Sequence, residues 1–131
     1  MITYSEEMSQ KAADVADVFK RSGIKRPYED LDRIQKMIDN ADILITAWED
    51  GRMVGVARAI TDFSYCCYLS DLAIDRDYQK HGIGSEMVKK LQSIIGDECS
   101  LVLLSAPSAM QYYPRIGFEK ADHAFFMKRK K

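Results

Sequence analysis

The most informative stretch of this sequence reads Leu72-Ala73-Ile74-Asp75-Arg76-Asp77-Tyr78-Gln79-Lys80-His81-Gly82-Ile83-Gly84-Ser85. An apolar strand ends, a polar loop turns, and an amphipathic helix begins. Gly82 and Gly84 can adopt positive φ, while the first helical turn presents unpaired N–H groups and a partial positive charge. This arrangement suits a phosphate or pyrophosphate, to which Lys80 and a protonated His81 would add charge. Two glycines alone are also compatible with a simple tight turn.

Two better-known phosphate motifs do not fit this stretch. A dinucleotide-binding turn would place a third glycine where Met87 stands, and a GxxxxGK[ST] loop is absent from the chain. The strand also comes late in an antiparallel series rather than opening a βαβ unit. The site therefore belongs to another class of fold.

The sequence before this stretch predicts two helices and an antiparallel meander. Residues 1–4 suit a short edge strand, and apolar residues at helical spacing predict a first helix that stops at Gly23. A second helix should begin at the N-cap Asp30 and end near Asn40. Strands are predicted at 43–48, 53–60 and 65–74, the first two joined by a hairpin at Asp50-Gly51.

The sequence after it predicts one long helix, 84–95, and a short one, 108–115. The unbroken apolar run 101–104 predicts a central strand buried on both faces, and 118–127 a last strand or hairpin. A crossover helix between strands 65–74 and 101–104 implies that they are parallel, within an α/β domain.

Composition narrows the function classes. With 131 residues, 47% hydrophobic and 30% charged, the chain suits one domain over residues 1–131. The formal charge of -1 argues against nucleic acid, and no apolar stretch suits a signal peptide or a membrane span, so we expect a cytoplasmic protein. Three cysteines, at 66, 67 and 99, form neither a disulfide framework nor a zinc motif, and we expect no metal.

Two motifs resemble those of the GCN5-related N-acetyltransferase (GNAT) superfamily. Residues 79–84, QKHGIG, resemble its Q/R-x-x-G-x-G/A signature, and residues 109–118, AMQYYPRIGF, resemble its A-x-x-F-Y-x-x-x-G-F segment. The resemblance implies an acetyl-CoA-dependent N-acetyltransferase. It also implies a single-domain fold with a mixed, mostly antiparallel sheet, a splayed parallel strand pair and flanking helices.

The resemblance also implies how acetyl-CoA is held. The backbone of Leu72, Ala73 and Ile74 would pair with the pantetheine arm like an added strand. The amides of Gln79, Lys80, His81, Gly82, Ile83, Gly84 and Ser85 would hold the pyrophosphate. The family's frequent cofactor-contacting asparagine is Ala106 here, so Ser105 or Ser108 is expected to substitute.

Direct acetyl transfer requires a neutral amine, and deprotonating an alkylamine at neutral pH costs roughly 4–5 kcal/mol. Asp71 is the candidate base, directly or through water; the alternative is a structural carboxylate paired with Arg58. A backbone N–H near Leu72 or Ala73 would stabilise the oxyanion. By resemblance Tyr113 would assist the departing thiolate; the alternative is a packing role, which we expect for Tyr112.

The acceptor is a small-molecule amine or a peptide or protein amine. Its groove is expected from residues 23–30 and 122–126, where Tyr28, Glu29, Asp30 and Phe125 predict either an aromatic-acidic pocket for a cation or ordinary loop and core groups. A homodimer through the C-terminal strands is expected by analogy alone. The competing function is a catalytically weak regulatory module that binds acetyl-CoA.

Overall fold

The helices form where apolar periodicity predicts them. The computed structural model describes residues 1–131, with helices α1 (Ala12–Ser22), α2 (Leu31–Asp39), α3 (Ile83–Ile95) and α4 (Tyr112–Arg115). Helix α1 ends at Gly23, whose φ of 83° only glycine adopts without strain. Helix α2 begins where the Asp30 side chain accepts a hydrogen bond from the Arg33 amide at 3.1 Å.

The sheet has five strands in chain order: β1 (Thr3–Ser5), β2 (Ile43–Glu49), β3 (Arg52–Thr61), β4 (Cys66–Ile74) and β5 (Ser100–Val102). The first four are antiparallel, and β4 and β5 are parallel. The β2–β3 hairpin turns at Asp50 (φ 51°) and Gly51 (φ 78°), two positive φ values that match the strand twist. The predicted meander is confirmed.

Helices cover both faces of this sheet. One apolar cluster joins α1 and α2 to the sheet through residues such as Phe19, Ile34 and Leu44, and the other joins α3 through Met87 and Leu91. Because each face has its own helical layer, β3 is buried from Met53 to Ala59. The predicted α/β, GNAT-like single-domain architecture is confirmed in its sheet and its flanking helices.

The parallel pair separates after three residue pairs. Residues Cys66–Tyr68 of β4 pair with Ser100–Val102, but no strand pairs with Leu69–Ile74 on that side. The predicted splay is therefore present, and it leaves the second half of β4 with a free edge. Beside that edge lies the groove described below.

The C-terminal part differs from its prediction. Strand β5 is the edge of the sheet rather than a central strand, and Val102 and Leu104 are 49% and 50% exposed. The expectation of burial on both faces is wrong because this apolar run lies at the open edge, where Leu103 packs against the core from one side only and Leu104 lines the groove.

No strand or hairpin forms over 118–127. Phe118 packs against the core, but Phe125 and Met127 are 99% and 94% exposed, so these two side chains bury too little apolar surface to offset the entropy of ordering a strand there. The predicted helix 108–115 is divided into a 3₁₀ turn (Pro107–Ala109) and α4. The homodimer stays a prediction, and the strands on which it relied are absent.

Candidate functional site

A loop tied down by its own side chains links β4 to α3. The Asp75 carboxylate accepts a hydrogen bond from the Asp77 amide at 2.9 Å and so caps a 3₁₀ turn, Arg76–Tyr78. Gln79 Nε2 donates to the carbonyl of Ile74 at 2.9 Å, which anchors the signature glutamine to the end of β4. Lys80 (φ 70°) and Gly82 (φ 79°) then turn the chain into the helix.

Consecutive main-chain donors remain free in this loop. The first intrahelical bond of α3 runs from the Glu86 amide to the Gly82 carbonyl at 3.0 Å, and no amide from Lys80 to Ser85 donates to a protein acceptor. The Gln79 amide, by contrast, donates to the Arg76 carbonyl at 3.4 Å. The loop and helix end therefore form a cradle of donors for an anion at positions 80–85.

The two glycines of the cradle have different surroundings. A Cβ atom added at Gly82 would meet nothing within 4 Å, so Gly82 lies open to an approaching ligand. A Cβ atom at Gly84 would lie 2.7 Å from the Tyr112 hydroxyl and 3.8 Å from a Leu72 methyl. Gly84 therefore allows Tyr112 to pack α4 against α3, the packing role expected for Tyr112.

A groove of about 700 Å³ lies beside the free edge of β4. Of the predicted cofactor residues, Leu72, Ala73, Ile74, Gln79 and Ser105 line it, and residues 80–85 do not. Because β3 occupies the other edge of β4, the groove-side edge is open to a peptide-like partner. Ser105 Oγ donates to the Ala106 carbonyl at 2.7 Å, which leaves its oxygen as an acceptor.

Tyr113 lines the same groove. Its ring meets the rings of Tyr112 and Phe118 edge-on, with centroids 5.2 and 5.5 Å apart. Burial raises the pKa of the Tyr113 phenol above its ordinary value, the neighbouring Tyr112 raises it further, and the nearby Arg26 guanidinium opposes them. The phenol therefore stays neutral at physiological pH and can donate a hydrogen bond into the groove.

Asp71 does not line this groove. It is 0% exposed, and its two carboxylate oxygens accept hydrogen bonds from Nε of Arg58, its cross-strand partner, and from Nε of Arg26. Both arginines also bind Ser70: Arg26 donates to its carbonyl at 2.7 Å and Arg58 to its hydroxyl at 2.9 Å. Because Asp71 is buried away from the groove and each of its oxygens is held by a guanidinium group, the geometry matches the structural alternative rather than the base.

Arg26 is the residue that sequence reasoning missed. It comes from the loop between α1 and α2, 45 positions from Asp71, and that loop's sequence carries no signal for the pairing. The only indication in the sequence was the carboxylate of Asp71 within a strand. A buried carboxylate needs hydrogen-bond donors or cations around it, and a second arginine beside Arg58 meets that need.

The predicted aromatic-acidic pocket is not formed. Asp30 caps α2, Glu29 is exposed, and Phe125 points into solvent. Of these four residues, Tyr28 lines a cavity in which seven of the eleven lining residues are lysine or arginine. The second of the two alternatives, ordinary loop groups, matches the structure, because Asp30 acts as a helix cap and the C-terminal segment leaves Phe125 in solvent.

Other site classes find no support in the side-chain arrangement. No group of three or more histidine, cysteine, aspartate or glutamate side chains is placed to hold a metal ion. Cys66, Cys67 and Cys99 are free thiols. None of the helices has the length and apolar character that crossing a membrane requires.

Comparison with known proteins identifies the family. The acetyltransferase (GNAT) domain family matches residues 7–129. Histone acetyltransferase TAP1 of Glycine max is 30% identical over 73 residues, covering 54% of this chain and 32% of TAP1. The uncharacterized N-acetyltransferase ycf52 of Pyropia yezoensis is 29% identical over 103 residues, covering 74% of this chain and 58% of ycf52. The chain thus spans about a third to three-fifths of these relatives.

Solved structures share the fold. A probable acetyltransferase from meticillin-resistant Staphylococcus aureus superposes with a TM-score of 0.82 at 19% identity, covering 98% of this chain and 100% of that one. The PaiA N-acetyltransferase of Thermoplasma acidophilum, in complex with coenzyme A, gives 0.74 at 16% identity, covering 95% and 93%. These similarities show the fold, and the family match over residues 7–129 establishes that the chain belongs to the GNAT acetyltransferase family.

Proposed function

We propose that this chain transfers an acetyl group from acetyl-CoA to a primary amine by direct attack in a ternary complex. One observation carries the proposal: the free edge of β4 runs from the groove that Tyr113 lines to the unpartnered amides of 80–85. A strand edge fits the two amides of pantetheine, and a cradle of N–H groups fits the pyrophosphate. The pantetheine arm and the pyrophosphate of the cofactor thus each have a binding element.

The reaction forms one C–N bond and breaks one C–S bond. The neutral amine attacks the thioester carbonyl, and the tetrahedral intermediate expels the CoA thiolate. The Tyr113 phenol donates a hydrogen bond to the departing sulfur; its raised pKa favours hydrogen-bond stabilisation over complete proton transfer. The proton lost by the nitrogen passes to solvent, and the thiolate takes one up.

The groove favours the neutral amine without a base of its own. No aspartate, glutamate or histidine lines it, whereas Arg26, Arg33, Arg58 and Arg129 do. A cationic ammonium near these guanidinium groups is disfavoured, so its pKa falls on binding. We therefore do not assign Asp71 as the base, and water takes the proton.

The catalytic role of Tyr113 is tested by replacing its hydroxyl. Tyr113→Phe should lower kcat for amine-dependent thiol release roughly 10- to 100-fold, with little change in the Kd for CoA. Because folding raises the pKa of this phenol, its ionisation should not reduce the wild-type rate between pH 7 and about 10.

Tyr112→Phe is the matched control, because that hydroxyl packs against Gly84 outside the groove lining. Equal losses in both variants would contradict the assignment of Tyr113. If acetyl-CoA binds but no amine in a broad panel causes thiol release, the chain is a regulatory module and the proposed transfer fails. The panel of amines includes a histone peptide, because the similar protein TAP1 is named a histone acetyltransferase.

A further inference from the structure

A second cavity, of about 690 Å³, opens at the loop between α1 and α2. Seven of its eleven lining residues are lysine or arginine, and none is aspartate or glutamate. The cations come from α1, the loop, α2, the turn after β4 and the C-terminal segment. They include Lys20, Lys25, Arg26, Arg33, Arg76 and Arg129.

Most of these cations have no aspartate or glutamate partner within the protein. Among the cavity's cations only Arg26 has an aspartate or glutamate carboxylate within 4.0 Å, and it shares Asp71 with Arg58. Arg33 donates to the main-chain oxygen of Lys131, the last residue described, at 3.3 Å. Because the whole chain has a formal charge of -1, the excess of positive charge is local to this cavity.

The cavity is continuous with the proposed reaction site. Gly23, Ile24, Lys25, Arg26 and Pro27 line both the cavity and the groove beside β4. Arg26 fixes the junction, since its guanidinium binds Asp71 and the Ser70 carbonyl and lies near enough to Tyr113 to oppose the rise in that phenol's pKa. An acceptor whose nitrogen lies at the thioester therefore extends toward the cavity.

From this geometry we infer that the cavity binds an anionic group of the acceptor, so that the substrate is a small primary amine carrying a carboxylate or a phosphate. The inference rests on the proposed acetyl transfer for the role of the amine. Arginine and lysine donors without partners suit carboxylate and phosphate oxygens. They also repel polyamines and other polycationic acceptors.

The phosphates of CoA are the other source of a matching anion. None of residues 80–85, the donors assigned to the pyrophosphate, lines the cavity. The cavity also meets the groove on the side of the α1–α2 loop, rather than at the cradle. The variants below separate the two sources by their effects on the amine and on CoA.

The first test compares amines that differ in charge at the far end. Thiol release at saturating acetyl-CoA is measured with 4-aminobutyrate, 4-aminobutanamide and 1,4-diaminobutane, and with O-phosphoethanolamine against ethanolamine. We expect kcat/KM at least 10-fold higher for an anionic member than for its neutral partner, and lowest for the diamine. Equal or higher values for the neutral amines or the diamine would overturn the inference while leaving the acetyl transfer standing.

The second test removes single charges from the cavity. Lys25→Gln and Arg33→Gln should each raise KM for the preferred anionic amine at least 5-fold and leave the Kd for CoA unchanged. Lys36→Gln, which removes one charge from the exposed side of α2 and lines neither cavity nor groove, is the control. A weakened affinity for CoA with an unchanged KM for the amine would assign the cavity to the cofactor and sink the inference.

A third measurement separates this inference from the proposed function. If acetyl-CoA binds and no amine is acetylated, the transfer has failed, and the cavity is tested by calorimetric titration of 4-aminobutyrate and O-phosphoethanolamine into the protein–CoA complex. Binding that Arg33→Gln weakens and Lys36→Gln does not would uphold the anion site. Absence of binding by both amines would overturn it.

Discussion

The cofactor half of the molecule and its acceptor half recognise their ligands in different ways. On the cofactor side, the free edge of β4 and the amides of 80–85 offer main-chain donors and acceptors. On the acceptor side, the cavity is lined by long charged side chains from three separated parts of the chain: residues 20–33, Arg76, and the segment 129–131. Main-chain recognition depends on local geometry that a short motif encodes. Side-chain recognition depends on which distant segments the fold brings together.

Arg26 and Asp71 connect the two halves. Asp71 lies in β4 directly before the pantetheine edge, and Arg26 lies in the loop that lines the acceptor cavity. Their contact holds the acceptor loop against the cofactor strand. The predictions below test this contact first, then the cofactor half alone, and last a turn that belongs to neither half.

Asp71→Asn should have the largest effect. It leaves the guanidinium of Arg58, which is 8% exposed, without its full countercharge, and we expect a loss of about 3–5 kcal/mol in the free energy of unfolding. Urea unfolding with its midpoint and slope measures the change. The same variant should raise KM for the amine, because the loop is no longer held.

If Asp71→Asn does not fold, Arg26→Gln tests the same contact. In this variant Asp71 keeps its ion pair with Arg58, so no buried charge is left unpaired. The variant should raise KM for the amine with a smaller loss of stability. If Asp71 acts as the base, the opposite pattern appears: Asp71→Asn lowers kcat and removes a limb of the pH–rate profile, with an unchanged unfolding midpoint. That pattern would contradict the structural role of the contact between Arg26 and Asp71.

Gly82→Val tests the cofactor half alone. The residue has φ 79° and open surroundings, so the new side chain strains the backbone and enters the space assigned to the pyrophosphate. We expect the Kd for CoA, measured by calorimetry, to rise at least 10-fold, or about 1.4 kcal/mol.

Gly51→Val, with φ 78° and equally open surroundings in the β2–β3 hairpin, is the matched control. It should lose a similar stability and keep its affinity for CoA. Equal affinities for CoA in the two variants would mean that residues 80–85 do not bind the phosphates. Main-chain recognition of the cofactor by this loop would then be contradicted.

Asp62→Ala should have the smallest effect, because Asp62 lies in the β3–β4 turn, outside both halves. Its Oδ1 accepts hydrogen bonds from the amides of Ser64, Tyr65 and Cys66, which lower the pKa of its carboxyl from 3.8 to about 2. A folded-state pKa below the unfolded value stabilises the protein above pH 3.8, and this contribution is lost as the pH falls toward 2.

The difference in unfolding midpoint between wild type and Asp62→Ala should therefore shrink over that pH range, while the Kd for CoA and KM for the amine stay unchanged. A difference that is constant with pH would show that the charge of Asp62 contributes nothing to stability. A change in either ligand constant would mean that the turn is coupled to one of the halves.

Local patterns determined much of this protein from the sequence alone. These patterns depend on neighbours in the chain. They include the helical periodicity that ends at Gly23 and starts again at Asp30, the Asp50-Gly51 hairpin, and the glycine loop before α3. The antiparallel meander and the parallel pairing across one crossover helix followed from these patterns, but the edge position of β5 did not. The motifs at 79–84 and 109–118 supplied the family.

Only the tertiary structure decided where distant residues meet. An apolar run such as 101–104 has the same sequence pattern in a core strand and at the edge of a groove. Here it lies at the edge, because the C-terminal segment forms no strand beside it. The pairing of Asp71 with Arg26 and the basic cavity depend on loops whose positions no local period encodes. Backbone conformation follows from neighbours in sequence, whereas charge and burial follow from neighbours in space.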